Sequence, residues 1–158
     1  MNEPVRLHLI KNTSAFYRMT QSYLNERLKA YDMGSGQQFF LDRIARNPGI
    51  SLQELAHLGY FDNGTATRAV QKLVDKGFVQ VTTDEKDRRI RRLQVTEEGL
   101  PALEAMRALK RDWRNAVMQG FTEEEKQTLS SLLERLVENA QAHLAALEEQ
   151  EEQPKCNA

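Results

Sequence analysis

The sequence predicts a mainly α-helical chain with one short β-hairpin near its middle. Three observations carry this. Apolar residues recur at spacings of three and four through most of the 158 residues, the repeat of a helix with one buried face. Capping boxes stand at the head of two such stretches, Ser51-Leu52-Gln53-Glu54 and Thr122-Glu123-Glu124-Glu125. The period switches to two only once, where Val79 and Val81 alternate with Gln80 and Thr82.

The first helix is expected over residues 6–29, with Leu9/Ile10, Thr13, Phe16/Tyr17, Thr20, Tyr23/Leu24 and Leu28 on one face. Met33-Gly34-Ser35-Gly36 breaks it. A second helix carries Phe39, Phe40, Leu41 and Ile44 and stops at Asn47-Pro48-Gly49, because proline restricts the residue before it. Ser51 caps a short third helix with Leu52, Leu55 and Ala56, and Ile50 and Leu55 are placed for a hydrophobic staple. Asp62 is the expected N-cap of a helix from Asn63 to Lys76. Its inner face is Ala66, Val70, Leu73 and Val74, and Gly77 follows it in the position that favours glycine. Thr65, Thr67, Arg68, Gln71 and Lys72 make its outer face.

The hairpin comes next, with a polar tip over Thr83 to Arg88 and a return strand in which Leu93 and Val95 alternate with Arg92, Gln94 and Thr96. Ile90 is out of phase with Leu93, which suggests a bulge or a twisted edge. Thr96 is expected to cap the next helix, with Pro101 in its first turn and Leu103, Met106, Leu109, Trp113 and Val117 along its apolar face. The last helix follows Gly120-Phe121, is capped by Thr122, and carries Leu129, Leu133, Leu136, Ala140, Leu144 and Leu147. Glu148 to Ala158 reads as a polar tail.

Composition narrows the function classes. Hydrophobic residues are 40% and charged residues 28% of the chain, the balance of a folded globular protein. No apolar run approaches the ~18 residues that cross a bilayer. Residues Met1 to Ile10 show no signal-peptide pattern, and a lone cysteine, Cys156, rules out an internal disulfide framework. Both fit the cytoplasm, with no membrane partner. The formal net charge is -1. That value is an average: residues 1–62 carry +1, residues 63–96 carry +4 and residues 97–158 carry -6. The asymmetry suggests a localised surface for an anion.

The element order is helix-turn-helix followed by a charged two-stranded wing. In such a unit the second helix of the pair enters the major groove of double-stranded DNA. Thr65, Thr67, Arg68, Gln71 and Lys72 can donate to phosphates or read base edges, Arg and Gln by bidentate pairs. Amides at a helix start also favour phosphate. Lys86, Arg88, Arg89, Arg91 and Arg92 crowd the hairpin, and a thin hairpin leaves such side chains to water or an anion. The minor groove, a focus of negative potential, accepts inserted arginine. Asp87, in their midst, can hydrogen-bond an arginine and fix its direction.

These residues resemble the MarR family of bacterial winged-helix regulators. The resemblance covers nearly the whole chain and is densest from Gln38 to Gly99. It rests on Ile44-Ala45-Arg46-Asn47-Pro48-Gly49-Ile50, on Leu55-Ala56, and on Asp62-Asn63-Gly64-Thr65-Ala66-Thr67-Arg68 with Leu73 and Gly77 beyond. Its most specific part is Asp87-Arg88-Arg89 leading to Leu93, Thr96 and Gly99. Each match is weak by itself; the series at this spacing is specific. The resemblance implies that Arg89 enters the minor groove with Asp87 positioning it, and that the protein is a homodimer whose first and last helices interleave. It also implies a repressor released from DNA by a small aromatic or phenolic effector.

The helix faces point independently to a dimer. The apolar faces of residues 6–29 and 122–147 exceed what a winged helix alone needs, and such seams find a second subunit. Recognition helices would then lie ~34 Å apart and read a pseudopalindromic operator. The expected division is an N-terminal dimerisation helix over 1–33, a winged helix-turn-helix DNA-binding domain over 34–99, C-terminal dimerisation helices over 100–148 and a flexible polar tail over 149–158. An effector crevice could use Tyr17, Phe39, Phe40 or Trp113, although core packing explains these aromatics better, so the effector site stays unassigned. His8, His57 and His143 are scattered, and neither a metal nor a cofactor is expected. No catalytic triad, carboxylate pair or phosphate loop suggests an enzyme. The remaining alternative is a winged helix used as a protein-interaction module, without specific DNA binding.

Overall fold

The computed structural model describes residues 8–152, so Cys156 and the end of the expected tail lie outside the described residues. The chain divides after Arg114 into two compact units. The first holds helix α1 (Leu9–Arg27), a 3₁₀ turn (Lys29–Tyr31), α2 (Ser35–Arg46), strand β1 (Ile50–Ser51), α3 (Leu52–Gly59), α4 (Asn63–Asp75), β2 (Val79–Thr83), β3 (Arg91–Val95) and most of α5 (Leu100–Val117). The second holds the end of α5 and α6 (Glu123–Glu152).

One core fills the first unit. Leu28 from the end of α1, Phe40, Leu41 and Ile44 from α2, Leu55 from α3, Leu73 from α4 and Met106 from α5 are all fully buried. These are the apolar positions of the sequence pattern, and burying them together is the main stabilising term. Asp42 on α2 ties α5 to this body, accepting from Arg46 Nε at 2.9 Å and Arg107 Nε at 3.3 Å.

The local signals place the helix ends well. Ser51 Oγ accepts from the Glu54 amide at 3.2 Å while Glu54 Oε2 accepts from the Ser51 amide at 2.8 Å, and Thr122 and Glu125 repeat this at the start of α6. At the end of α4, the Gly77 amide (φ +73°) donates to the Val74 carbonyl and the Phe78 amide to the Leu73 carbonyl, the paired closure in which a left-handed residue is required.

Several elements differ from expectation. The first helix stops at Arg27, and a 3₁₀ turn leads to Asp32 in the left-handed region (φ 48°). Lys76, from the far end of α4, donates to the Asp32 carbonyl at 2.6 Å and pairs with its carboxylate. Thr96 does not cap α5, which starts four residues later; its hydroxyl donates to the Gly77 carbonyl and accepts from the Gly99 amide, closing a turn. Ile90 lies in the hairpin tip before β3 begins, so the ladder needs no bulge to accommodate it. Helix α6 runs past Leu147 to Glu152.

The sheet has a third member. Strand β3 lies between β2 and β1, all antiparallel, with Val81 and Ile50 both opposite Leu93. Two residues are too few to show a strand period, so β1 was legible only as the approach to α3. Leu93 is 2% exposed, and the Gly49 amide donates to its carbonyl at 2.8 Å.

The base of the hairpin is fixed by a close backbone approach. A Cβ on Gly99 would stand 3.0 Å from Phe78 Cα and still nearer the Phe78 carbonyl oxygen. Backbone atoms cannot yield there without moving β2. Gly99→Ala is therefore expected to destabilise the protein by about 1–3 kcal/mol, read as a lower urea midpoint with an unchanged m-value.

Candidate nucleic-acid interface

Helix α4 turns Ala66, Ala69, Val70 and Leu73 into the core. The opposite face leaves Thr67, Arg68, Gln71 and Lys72 exposed and Thr65 half-buried. Its start is organised by Asp62, whose Oδ1 accepts from the Thr65 amide at 2.8 Å. Thr65 Oγ1 donates to Asp62 Oδ2 at 2.7 Å and accepts from Arg68 Nη2 at 3.1 Å. This chain of bonds orients Arg68 along the first turn. Hydrogen bonds from the Thr65 side chain and then its amide hold the Asp62 carboxyl below the usual carboxylate range. The expected phosphate site at the amides of this helix start is thus altered: Asp62 already occupies the Thr65 amide.

Thr67 donates to the Asn63 carbonyl at 2.6 Å and Gln71 Nε2 to Asp75 Oδ1 at 2.8 Å. Gln71 therefore keeps its amide oxygen for an outside donor, while its own donor is shared with Asp75. Arg68 and Lys72 supply the positive charge of this face.

The hairpin tip is built on two aspartates. Asp84 Oδ1 accepts from the amides of Lys86 at 2.8 Å and Asp87 at 2.9 Å, and its Oδ2 accepts from Arg92 Nε at 2.8 Å. The bond from the Asp87 amide, then Arg92 and the Lys86 amide, bring the Asp84 carboxyl down to about 2. Asp87 Oδ1 accepts from the Arg89 amide at 3.0 Å and Arg89 Nε at 3.2 Å, and Oδ2 from Arg89 Nη2 at 3.3 Å. The aspartate thus grips both backbone and guanidinium of Arg89, whose side chain is 92% exposed. Arg88 and Arg91 are also exposed.

Arg92 corrects the expectation that all the hairpin cations face water or an anion. It is half-buried and turned toward the protein, donating to Asp84 and, through Nη1, to the Gly49 carbonyl at 3.2 Å, with Glu54 Oε2 at 3.5 Å. Asp84 was not singled out in the sequence. Its place follows from the register of the hairpin: with Thr82 opposite Arg92, the residue two further along falls on the same face.

The four suspect aromatics do not share one crevice. Phe40 is fully buried, Phe39 packs edge-on against Phe40 and Phe61 at 5.3 Å, and Tyr17 is exposed on α1. Trp113 stacks on Tyr23 at 4.8 Å and donates Nε1 to Thr20 Oγ1 at 2.9 Å. Among the described residues no group of three His, Cys, Asp or Glu side chains is placed to hold a metal ion, and no helix is long and apolar enough to cross a membrane.

Known proteins share both the sequence pattern and the fold. A family model described as MarR family matches residues 35–90. The chain is 35% identical over 131 residues to the uncharacterized HTH-type transcriptional regulator YybA of Bacillus subtilis (strain 168), covering 83% of this chain and 87% of that one. The structure is similar to a MarR protein from Peptoclostridium difficile, with a TM-score of 0.84, 28% identity, and coverage of 93% of this chain and 96% of that one. It is also similar to a mutant MarR from E. coli complexed with operator DNA, with a TM-score of 0.73, 26% identity, and coverage of 82% and 94%.

The bonds at the hairpin tip set a measurable titration. A carboxyl whose folded value lies below its unfolded value of ~3.9 contributes order that is complete above that value. For Asp84 that contribution declines as pH falls below ~3.9 and is gone once pH has passed through about 2. A carbon-detected NMR titration should place Asp84 near 2, with Arg92→Ala moving it upward. A wild-type value in the ordinary range would show that the tip bonds do not persist in solution.

Proposed function

This chain belongs to the MarR family of transcriptional regulators, and we propose on that premise that it is a homodimeric repressor acting from the cytoplasm. It is a DNA-binding regulator, as its membership and a family relative held on operator DNA support, and the interaction-module alternative has no such support. The carrying observation is the pairing of two presented surfaces on one buried core. The outer face of α4 offers Thr65, Thr67, Arg68, Gln71 and Lys72 to the major groove, and the hairpin offers Arg88, Arg89 and Arg91, with Asp87 aiming Arg89 at the minor groove.

The dimer reading rests on two uncovered apolar faces. On α1, Leu9, Ile10, Phe16, Tyr17 and Met19 are exposed; on α6, Leu132, Leu133, Leu136, Val137, Leu144 and Leu147 are exposed. Large contiguous apolar faces of this kind mark association surfaces, and a second copy covers them in our reading. Residues 1–33 and 100–148 then serve the dimer and residues 34–99 the DNA. Two copies set two recognition helices ~34 Å apart, matching half-sites of a pseudopalindrome. A small aromatic or phenolic effector would release the repressor by favouring a spacing or mobility of these helices that no longer fits both half-sites.

A gel-shift titration against DNA upstream of the protein's own gene tests this. Arg89→Ala should weaken binding by roughly 1–3 kcal/mol and lower the salt slope by about one. Equal binding by both proteins would remove Arg89 from the interface. Sedimentation tests the second surface: Leu136→Glu with Leu144→Glu should yield a monomer without operator binding, and an unchanged dimer would place the interface elsewhere.

A further inference from the structure

We propose that Arg92, the one hairpin arginine turned inward, is a positioning residue that fixes the aim of the wing tip relative to the recognition unit. The inference rests on the reading that α4 and the hairpin bind DNA together, and it adds a residue that no DNA contact would identify.

The geometry is a continuous chain of bonds. At one end Glu54 is fixed by its capping box at the start of α3, where its Oε2 also accepts from the Ser51 amide. Arg92 Nη1 lies 3.5 Å from that oxygen and donates to the Gly49 carbonyl at 3.2 Å. Arg92 Nε donates to Asp84 Oδ2 at 2.8 Å. The other Asp84 oxygen holds the Asp87 amide at 2.9 Å, and Asp87 holds Arg89. One guanidinium therefore joins the helix-turn-helix to the arginine at the tip.

The tip needs such a strut. The β2–β3 ladder ends at the pair Thr83 and Arg91. Beyond it the backbone bonds are those from the Asp84 amide to the Ile90 carbonyl and from the Ile90 amide to the Asp87 carbonyl. Both lie within the hairpin, so neither sets its angle to α3. A two-stranded ribbon twists readily. Among the described residues, Arg92 alone of the five hairpin cations bonds outside the hairpin, to Gly49 and Glu54. Its planar fork satisfies partners in two directions at once, which a lysine ammonium on a flexible stem does not reproduce.

The test compares Arg92→Ala, Arg92→Lys and Asp84→Asn with wild type in two measurements. In the DNA-free protein, amide relaxation should show more motion at Asp87 and Arg89 in all three variants, with α4 unchanged. Unchanged order at the tip overturns the strut whether or not the protein binds DNA. On operator DNA, Arg92→Ala and Arg92→Lys should each weaken binding roughly tenfold, and adding Arg89→Ala should cost little more, because residues acting through one another are non-additive. Wild-type affinity in Arg92→Lys would mean that charge alone matters, and full additivity with Arg89→Ala would mean an independent contact; either result overturns the proposal. Failure of the wild type to bind any upstream DNA would instead sink the reading on which the binding arm rests, and the relaxation comparison would still decide the strut.

Discussion

Strand β3 is the member on which the presentation of both candidate surfaces depends. It pairs with β2 along its length and with β1 through Ile50 and Ser51, so it alone joins the hairpin to the connection between α2 and α3. Leu93 at its centre, paired with Val81 on one side and Ile50 on the other, is buried, and the Gly49 amide bonds its carbonyl. A slip of one residue would turn Leu93 out of the core and carry Arg92 off the face it shares with Asp84. The register is therefore strongly specified, and with it the face on which Arg92 meets Asp84.

Electrostatics explains why an overall charge of -1 is compatible with binding a polyanion. What a partner meets is the local field, not the sum over the chain. In this fold three aspartates near the candidate interface are engaged in organising it. Asp62 caps α4 and orients Arg68 through Thr65; Asp87 grips Arg89; Asp84 folds the tip and holds Arg92. An aspartate among arginines lowers the local positive charge. In the structure each one trades a fraction of the positive field for a fixed direction, which suits reading a groove more than merely adhering to it. The pair Lys76 and Asp32 does similar work away from the hairpin, tying the end of α4 to the turn before α2.

Stability and presentation are separable within the first unit. The buried side chains of α2, α3, α4 and α5 form one close-packed body, while the tip from Asp84 to Ile90 buries little and is ordered by hydrogen bonds. Regions with few apolar contacts open at low free energy. A regulator can use such a region, because small changes there alter binding without unfolding the core. Exposed leucines on α6 and aromatics on α1 follow a different logic: they keep the helical spacing of a buried face without burying it, the observation behind the proposed dimer.

The sequence by itself determined the helices, the caps at Ser51, Asp62 and Thr122, the hairpin and the exposed face of α4, but not the start of α5, where Thr96 closes a turn instead. These features rest on interactions between neighbours up to four residues apart, such as Ser51 with Glu54, Thr122 with Glu125 and the inner face of α4, and local patterns encode them directly. Asp87 holding Arg89 was legible for the same reason, being two residues away. The tertiary structure alone decided the third strand, the inward turn of Arg92, the bond from Lys76 to Asp32 and the seat of Trp113 on Tyr23 and Thr20. Their partners lie 43, 44 and, for Trp113 and Thr20, 93 residues apart in the chain. Such pairs form only when the core brings distant segments together, and no periodicity along the chain records which of them will meet.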